Sequence, residues 1–325
     1  MIKFVELYSS TKEADLETDF KKIMHGLNQP KKFVPFEYIY DEDGSKLMTE
    51  YNSSPYYYLA NSEVEILQEQ GSDILAAIGK EKFNLIELGA GDGEKIKFLI
   101  QTAIKEEYDF DYIPVDISYS SNLTLAEAVK KISPNIQMTA LTALYEQGIK
   151  WVYENKKGKN VFAFIGSSIS SFSKKERNEF LEYLKNHLKK GDMVLMGVDL
   201  KKDPETIRMA YFGKRELGEK FIWNIFVRIN RELEGNFKLE NFFIYAYYDP
   251  YVGEVIGLVV SKCDQIVNIR DQKIELKKSE TIFIARSKKW DCEEMHEEML
   301  SLEMKLIKSF TDHKENFVEV LYEKI

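Results

Sequence analysis

Between Phe83 and Leu200 one pattern recurs, a short β-prone apolar run followed by ten or more residues of helical spacing, and few folds accept it. "FNLIEL" precedes "GEKIKFLIQTAIKEE", "YIPVDI" precedes "NLTLAEAVKKI", and "IQMTAL" precedes "TALYEQGIKWVYEN". "NVFAFIGSS" then precedes "SKKERNEFLEYLKNHLKK", and "DMVLMGVDL" closes the series. Strands separated by helices of this length pair in parallel, with helices against the sheet. The expected fold is therefore α/β, a doubly wound Rossmann-like domain. After Leu200 the texture changes: "KKDPETIRMAYFGKRELGEKFIWNIFVRINREL" reads as helix, and "NFFIYAYYDPYVGEVIGLVVSK" as antiparallel strands turning at Asp249 to Gly253. The aromatic segment "FVPFEYIYDEDGSKLMTEYNSSPYYYLA" fits neither pattern and reads as a stretch that packs over something. With 325 residues, 44% of them hydrophobic, the chain can bury two cores, and a second α+β domain is expected.

A formal charge of -9 argues against a nucleic-acid binder, because phosphate contacts need a basic face and the runs "KKFVP" and "SKKW" are short. Cys263 and Cys292 are far apart and lack metal-ligand spacing, so neither a disulfide framework nor a metal site is expected. The first residues turn acidic too early for a signal peptide, and no apolar run reaches membrane-spanning length. The expectation is a soluble, cytoplasmic protein that engages a small molecule and neither membrane nor nucleic acid, with a monomer as the default.

In open α/β sheets ligands bind beyond the carboxyl ends of the strands, which directs attention to "ELGAGDGEK", where Gly89, Gly91 and Gly93 alternate. Gly89 and Gly91 permit positive φ and close approach of a ligand to the backbone, and Gly93 opens the helix without a side chain. A dinucleotide fingerprint has a different spacing, and the carboxylate of Asp92 inside this loop would repel a pyrophosphate. It suits a cationic ligand, and S-adenosylmethionine carries a sulfonium and an ammonium. Asp116 lies 23 residues beyond Gly93, at the end of the next strand, where a carboxylate can accept from both ribose hydroxyls. Taken singly, the glycines also fit a tight turn with no ligand, and Asp116 fits an N-cap. In order on consecutive βα units they point to a nucleoside-type cofactor.

These motifs, with "YIPVDIS", "FAFIGSSIS", "LMGVDLKKDPETIRMAY", "RINREL", "YYDP", "YDEDGSKL" and "SPYYYLANSE", resemble those of the histidine Nα-methyltransferases of ergothioneine biosynthesis and their relatives that methylate tryptophan derivatives. The resemblance implies a methyltransferase domain, residues 62–200 plus 287–325, and a substrate-binding domain, residues 1–61 plus 201–286. It implies S-adenosylmethionine at Gly89, Ala90, Gly91, Lys95 and Asp116. The family's "GDF", whose Asp accepts from the adenine amino group, aligns with "TAL" at Thr139–Leu141, placing Ala140 and Leu141 at the cofactor. Ala140 cannot accept that bond, leaving it to a backbone carbonyl or Thr142.

On the substrate side, the resemblance places Tyr40 and Tyr57 in the amino-acid pocket and Tyr211 on the substrate carboxylate. The Asn that holds the substrate amine becomes Ser171. The Glu and Ser presented to the imidazole become Ala285 and Ser287, and a Met beside the ring becomes Gly257. Tyr40, Ser171 and Tyr211 are the expected catalytic group, with no general base assigned, since His25, His187, His296 and His313 lie outside every motif. Removing a partner from a site built for a polar ring costs several kcal/mol of discrimination, on the order of a lost buried hydrogen bond. Histidine is therefore disfavoured, and Ala285 and Gly257 leave room for an indole, a phenol or another larger group, unless Arg286 has refilled the space. The expected activity is N-methylation of a small amino acid or amine. A non-catalytic binding protein and an O- or S-methyltransferase are the alternatives.

Overall fold

The computed structural model describes residues 1–8, 12–39, 41–54, 56–213 and 215–325, and only the backbone of residues 12–15, 42 and 45. The strand Phe83–Leu88 is buried at every residue, as a strand covered on both faces must be. Its side chains alternate between two clusters. Phe83 and Leu85 pack with helices Tyr58–Glu69, Gly71–Ile78, Ile96–Lys105 and Tyr119–Ile132. Ile86 and Leu88 pack with helices Tyr145–Asn155, Lys174–His187 and Cys292–Ser301. Each such aliphatic side chain contributes about 1.5–3 kcal/mol by leaving water.

The sheet has eight strands in the order Ile2–Glu6, Met138–Thr142, Phe110–Asp116, Phe83–Leu88, Lys159–Phe164, Met193–Asp199, Phe317–Lys324 and Met304–Thr311. The first six run parallel and the last two close the edge as an antiparallel hairpin, so the fold is α/β with a mixed sheet. Chain order reverses at Phe83–Leu88, whose neighbours are Phe110–Asp116 and Lys159–Phe164. The crevice at that switch point faces the glycine loop.

The chain divides into two units, one of Met1–Ser9, Leu59–Lys201 and Lys289–Ile325, the other of Ser10–Tyr58 and Lys202–Lys288. The expected grouping of residues 1–61 is corrected at its start. Ile2–Glu6 pairs in parallel with Met138–Thr142, forming an edge strand more than 130 residues from its partner in sequence. Nothing local in "IKFVE" announces a sheet partner that distant. Its exposed Lys3 and Glu6 suit a sheet edge, where charge discourages further pairing.

Where the chain leaves and re-enters the first unit, the two passes are clamped together. Trp290 N–H donates to the Asp199 carbonyl and Lys201 N–H to the Trp290 carbonyl, each at 2.8 Å. Lys289 Nζ lies 2.7 Å from Asp199 Oδ2, with both side chains wholly buried.

The second unit holds helices Lys12–Leu27, Glu42–Asn52, Pro204–Phe212 and Arg215–Glu232. Its sheet runs Lys32–Phe33, Thr281–Lys288, Glu254–Ser261, Phe242–Asp249, and a hairpin pairs Gln265–Ile269 with Gln272–Leu276. Ile23, Leu27, Phe226, Ile229, Val259 and Ile282 form its core.

Replacing Lys289 with Met removes a buried cation from beside Asp199 and is expected to lower the unfolding free energy by about 3–5 kcal/mol. Adding Asp199→Asn should recover part of that loss, because the lysine's buried negative partner is then gone as well. Urea denaturation of the three proteins measures both.

Candidate active site

Gly89, Gly91 and Gly93 have φ of +79°, +54° and +71°, a region that side chains with a Cβ rarely adopt. A Cβ on Gly93 would stand 2.0 Å from Leu125 Cδ1, so helix Tyr119–Ile132 approaches the loop only because this residue is bare. At Gly91 nothing lies within 4 Å of the same position, which leaves that side of the loop open. Gly89 N–H donates to the Val115 carbonyl at 2.8 Å, and Gly91 N–H donates to Asp116 Oδ2 at 2.9 Å. The two sequence marks are thus directly bonded.

Asp116 Oδ1 accepts from Ser118 N–H at 2.8 Å. The cap of helix Tyr119–Ile132 is Ser118, whose hydroxyl accepts from Ser121 N–H at 3.1 Å, so Asp116 is not the N-cap. Burial pushes the Asp116 carboxyl up from its ordinary value, opposed by the Ser118 and Gly91 N–H groups. Asp92 stands at the exposed tip and accepts from Glu94 N–H at 3.2 Å.

Gly89, Asp116, Ile117, Leu144, Tyr145 and Glu146 line a cleft of about 220 Å³. Ala140 and Leu141, the expected adenine contacts, are not among these lining residues. Ala140 and Leu141 are buried within the strand Met138–Thr142, one in each of the two clusters. The triplet "TAL" occurs twice in succession, and the second copy, Thr142–Leu144, is the one that reaches the strand's carboxyl end. Ala143 is buried and Leu144 is exposed at the cleft. Glu146 supplies a carboxylate to this wall that sequence reasoning missed; its position in the first turn of helix Tyr145–Asn155 was the available signal.

Ser171 ends a 3-10 turn in the first unit, and its hydroxyl donates to the Ser168 carbonyl at 2.7 Å. With its proton so engaged, the oxygen faces any further partner as an acceptor. Tyr57, Tyr211, Gly257, Ala285 and Ser287 lie in the second unit. Tyr211 hydroxyl donates to Ser287 Oγ at 2.8 Å, and the Tyr57 and Tyr211 rings meet edge-on at 5.7 Å. Tyr51, not anticipated, packs on Tyr57 at 4.6 Å and donates its hydroxyl to the Tyr211 carbonyl at 3.0 Å. Tyr40 lies outside the described residues.

Gly257 is directly opposite Ala285 on one side and Ala246 on the other, so three small residues stand in register across three strands. Ala246 was also missed, because only register reveals it. Arg286 does not refill this row: adjacent residues of a strand point to opposite faces. Its guanidinium lies 3.5 Å from Glu254 and 4.9 Å from the Phe283 ring centroid.

Residues 19–324 match the profile of the histidine-specific methyltransferase family, which is SAM-dependent. The chain belongs to this family. The histidine N-alpha-methyltransferase of Mycolicibacterium smegmatis is 30% identical over 222 residues, 68% of each chain. The N-methyltransferase fsqC of Aspergillus fumigatus is 27% identical over 274 residues, 82% of this chain and 73% of that one. The 4-dimethylallyltryptophan N-methyltransferase easF of Claviceps purpurea is 26% identical over 200 residues, 59% of this chain and 58% of the other.

This methyltransferase takes S-adenosylmethionine, and the first unit suits such a ligand. Gly91 leaves an approach to the loop backbone, Asp116 retains acceptor capacity beyond its backbone N–H partners, and Ile117 and Leu144 offer exposed apolar walls, 56% and 44% accessible. Among the described residues no helix is long and apolar enough to cross a membrane. Beneath the loop, burial pushes the Glu87 carboxyl up to about 8, against the lowering effect of a hydrogen bond from Tyr112.

That shift fixes the sign of a pH dependence. Between the ordinary value of 4.5 and about 8, the folded methyltransferase keeps a proton on Glu87 that the unfolded chain has released. Stability from this group therefore falls as pH rises through the window and levels off above it. Glu87→Gln should reduce the downward slope of unfolding free energy by about one proton's worth, read from urea denaturation at pH 5, 7 and 9.

Proposed function

We propose that this SAM-dependent N-methyltransferase acts on the amino group of a small amino acid or amine larger or more aromatic than histidine. The observation that carries the reading is the Ala246–Gly257–Ala285 row beside the Tyr211–Ser287 pair. An imidazole needs polar partners, and this face offers methyl groups and bare backbone where the resembling family presents Glu and Met. A buried donor left unpaired there disfavours histidine, whereas an indole or phenyl ring loses nothing.

In this reading S-adenosylmethionine, when bound, supplies an electrophilic methyl group for in-line transfer to nitrogen. The chain's contribution is mainly alignment. Asp116 accepts from the ribose hydroxyls, the backbone from Gly89 to Gly91 borders the donor, and Lys95 meets its methionine portion. Tyr211 and Ser287 hold the acceptor's carboxylate or equivalent polar end. Ser171 accepts from the acceptor nitrogen and orients its lone pair. Tyr57, with Tyr40, offers ring faces to the positive charge that develops on nitrogen, about 0.5–2 kcal/mol for each well-placed ring.

No histidine is assigned as a base. His296 bonds Tyr322, His313 pairs with Glu65, and His187 stacks on Tyr183. The amine is taken up in its neutral form, or releases its proton to solvent before transfer.

The test is mass spectrometry of products from a panel of aromatic amino acids and biogenic amines alongside histidine. Methylated aromatic acceptors with little methylhistidine are expected. Ala285→Glu combined with Ser171→Asn should raise histidine turnover relative to the best aromatic acceptor by about tenfold or more. An unchanged ratio removes the pocket assignment, and methylation confined to oxygen or sulfur removes the amine.

A further inference from the structure

A buried charge cluster in the first unit is left unused by the contacts above. Glu63, on helix Tyr58–Glu69, is wholly buried. Its Oε1 accepts from Gly166 N–H at 2.5 Å, and its Oε2 lies 2.5 Å from Lys95 Nζ as an ion pair without an aligned hydrogen bond. Glu319, on the strand Phe317–Lys324, is equally buried and faces Glu63. The two carboxyls meet at Gly197, where a Cβ would stand 2.5 Å from an oxygen of each. Only glycine leaves space for both.

Two buried carboxyls this close do not both ionise. Burial first, and the facing Glu63 second, hold Glu319 far above the ordinary carboxylate range, and the ammonium of Lys95 is paired with Glu63. Burying an ion pair is rarely worth its desolvation in stability alone, and here the geometry is asymmetric. Glu63's side chain is 1% exposed while Lys95's is 27% exposed. The anion is an interior anchor, and the ammonium stands at the edge of the glycine loop. Through Gly166, the same carboxylate also fixes the backbone that follows the neighbouring strand Lys159–Phe164.

We propose that Glu63 is a positioning residue for the methyl donor, holding Lys95 so that its ammonium meets the carboxylate of the donor's methionine moiety. The inference rests on the assignment of Lys95 to the methionine portion. A lysine has a long, mobile stem, and an anchored ammonium binds without first losing that freedom.

Calorimetry with S-adenosylmethionine and no acceptor tests it. Glu63→Gln should weaken binding about 10- to 100-fold, the range for a charged hydrogen-bonding partner, while kcat at saturating donor stays within about threefold of wild type. With decarboxylated S-adenosylmethionine, which has no carboxylate to meet, the variant's penalty should vanish. Glu63→Gln added to Lys95→Met should weaken binding no further, because the two act as one unit. If Glu63→Gln fails to fold, Glu63→Asp keeps the charge but retracts the anchor, and an intermediate loss rescued by Lys95→Arg is expected. Wild-type affinity in these variants, an equal penalty with the decarboxylated donor, or full additivity with Lys95→Met overturns the inference. A wild-type protein that binds the donor yet methylates no amine would instead overturn the proposed acceptor and leave this result standing.

Discussion

One hydrogen bond holds the donor side together, the Gly91 N–H to the Asp116 carboxylate. It joins the loop after one parallel strand to the tip of the next, so the crevice at the switch point keeps its shape without a ligand to organise it. The bond exists because Gly91 adopts a left-handed φ and turns its N–H toward the neighbouring strand end rather than into helix Ile96–Lys105. A carboxylate has acceptor capacity for about four hydrogens, and Asp116 commits part of it to backbone N–H groups. The group proposed to recognise the ribose is therefore also the one that builds the loop. Recognition and architecture cannot be altered separately there, which is a general route to preorganised binding.

The second unit uses charge differently. Two of the motifs that carry the family resemblance are partners of one another here. Asp41, from "YDEDGSKL", accepts from Gly44 N–H at 2.7 Å, from Asn224 at 2.8 Å and from Arg231 of "RINREL" at 2.5 Å. Burial raises the Asp41 carboxyl, but these donors outweigh it and hold it below the usual range. Arg228 of the same motif lies 3.9 Å from the Tyr38 ring centroid and donates to the Tyr38 carbonyl. These contacts fasten Tyr38 and Asp41 to helix Arg215–Glu232, so the motifs specify a scaffold. The same holds for Asp199 of "GVDLKKDP", whose partner Lys289 closes the chain's return to the sheet.

Five of the six parallel strands were legible because each is a short apolar run bounded by turns. The glycine loop was legible because glycines at alternate positions suit little besides a turn that needs positive φ. Less was readable where the deciding information is register. The repeat in "MTALTAL" offers two alignments of equal quality, and only the end of the strand distinguishes the buried Ala140 from the cleft wall at Leu144. The Ala246–Gly257–Ala285 row required knowing which residues of three strands face one another. The edge strand Ile2–Glu6 was invisible for a related reason: its five residues carry no local sign of a partner beyond residue 137.

Charge on the donor side was the least legible property, since counting residues treats every acid as ionised. Asp116, Glu87, Glu63 and Glu319 all lie in or against the crown of one sheet, and four full negative charges there would repel one another strongly in a medium of low dielectric. The fold resolves this by protonation. Burial raises the Glu87 carboxyl to about 8 and lifts Glu319 well above the ordinary carboxylate range, and Glu63 is balanced by Lys95. What remains beside the loop and the cleft is Asp116, Asp92 and Glu146, acidic side chains that suit the sulfonium of the proposed donor.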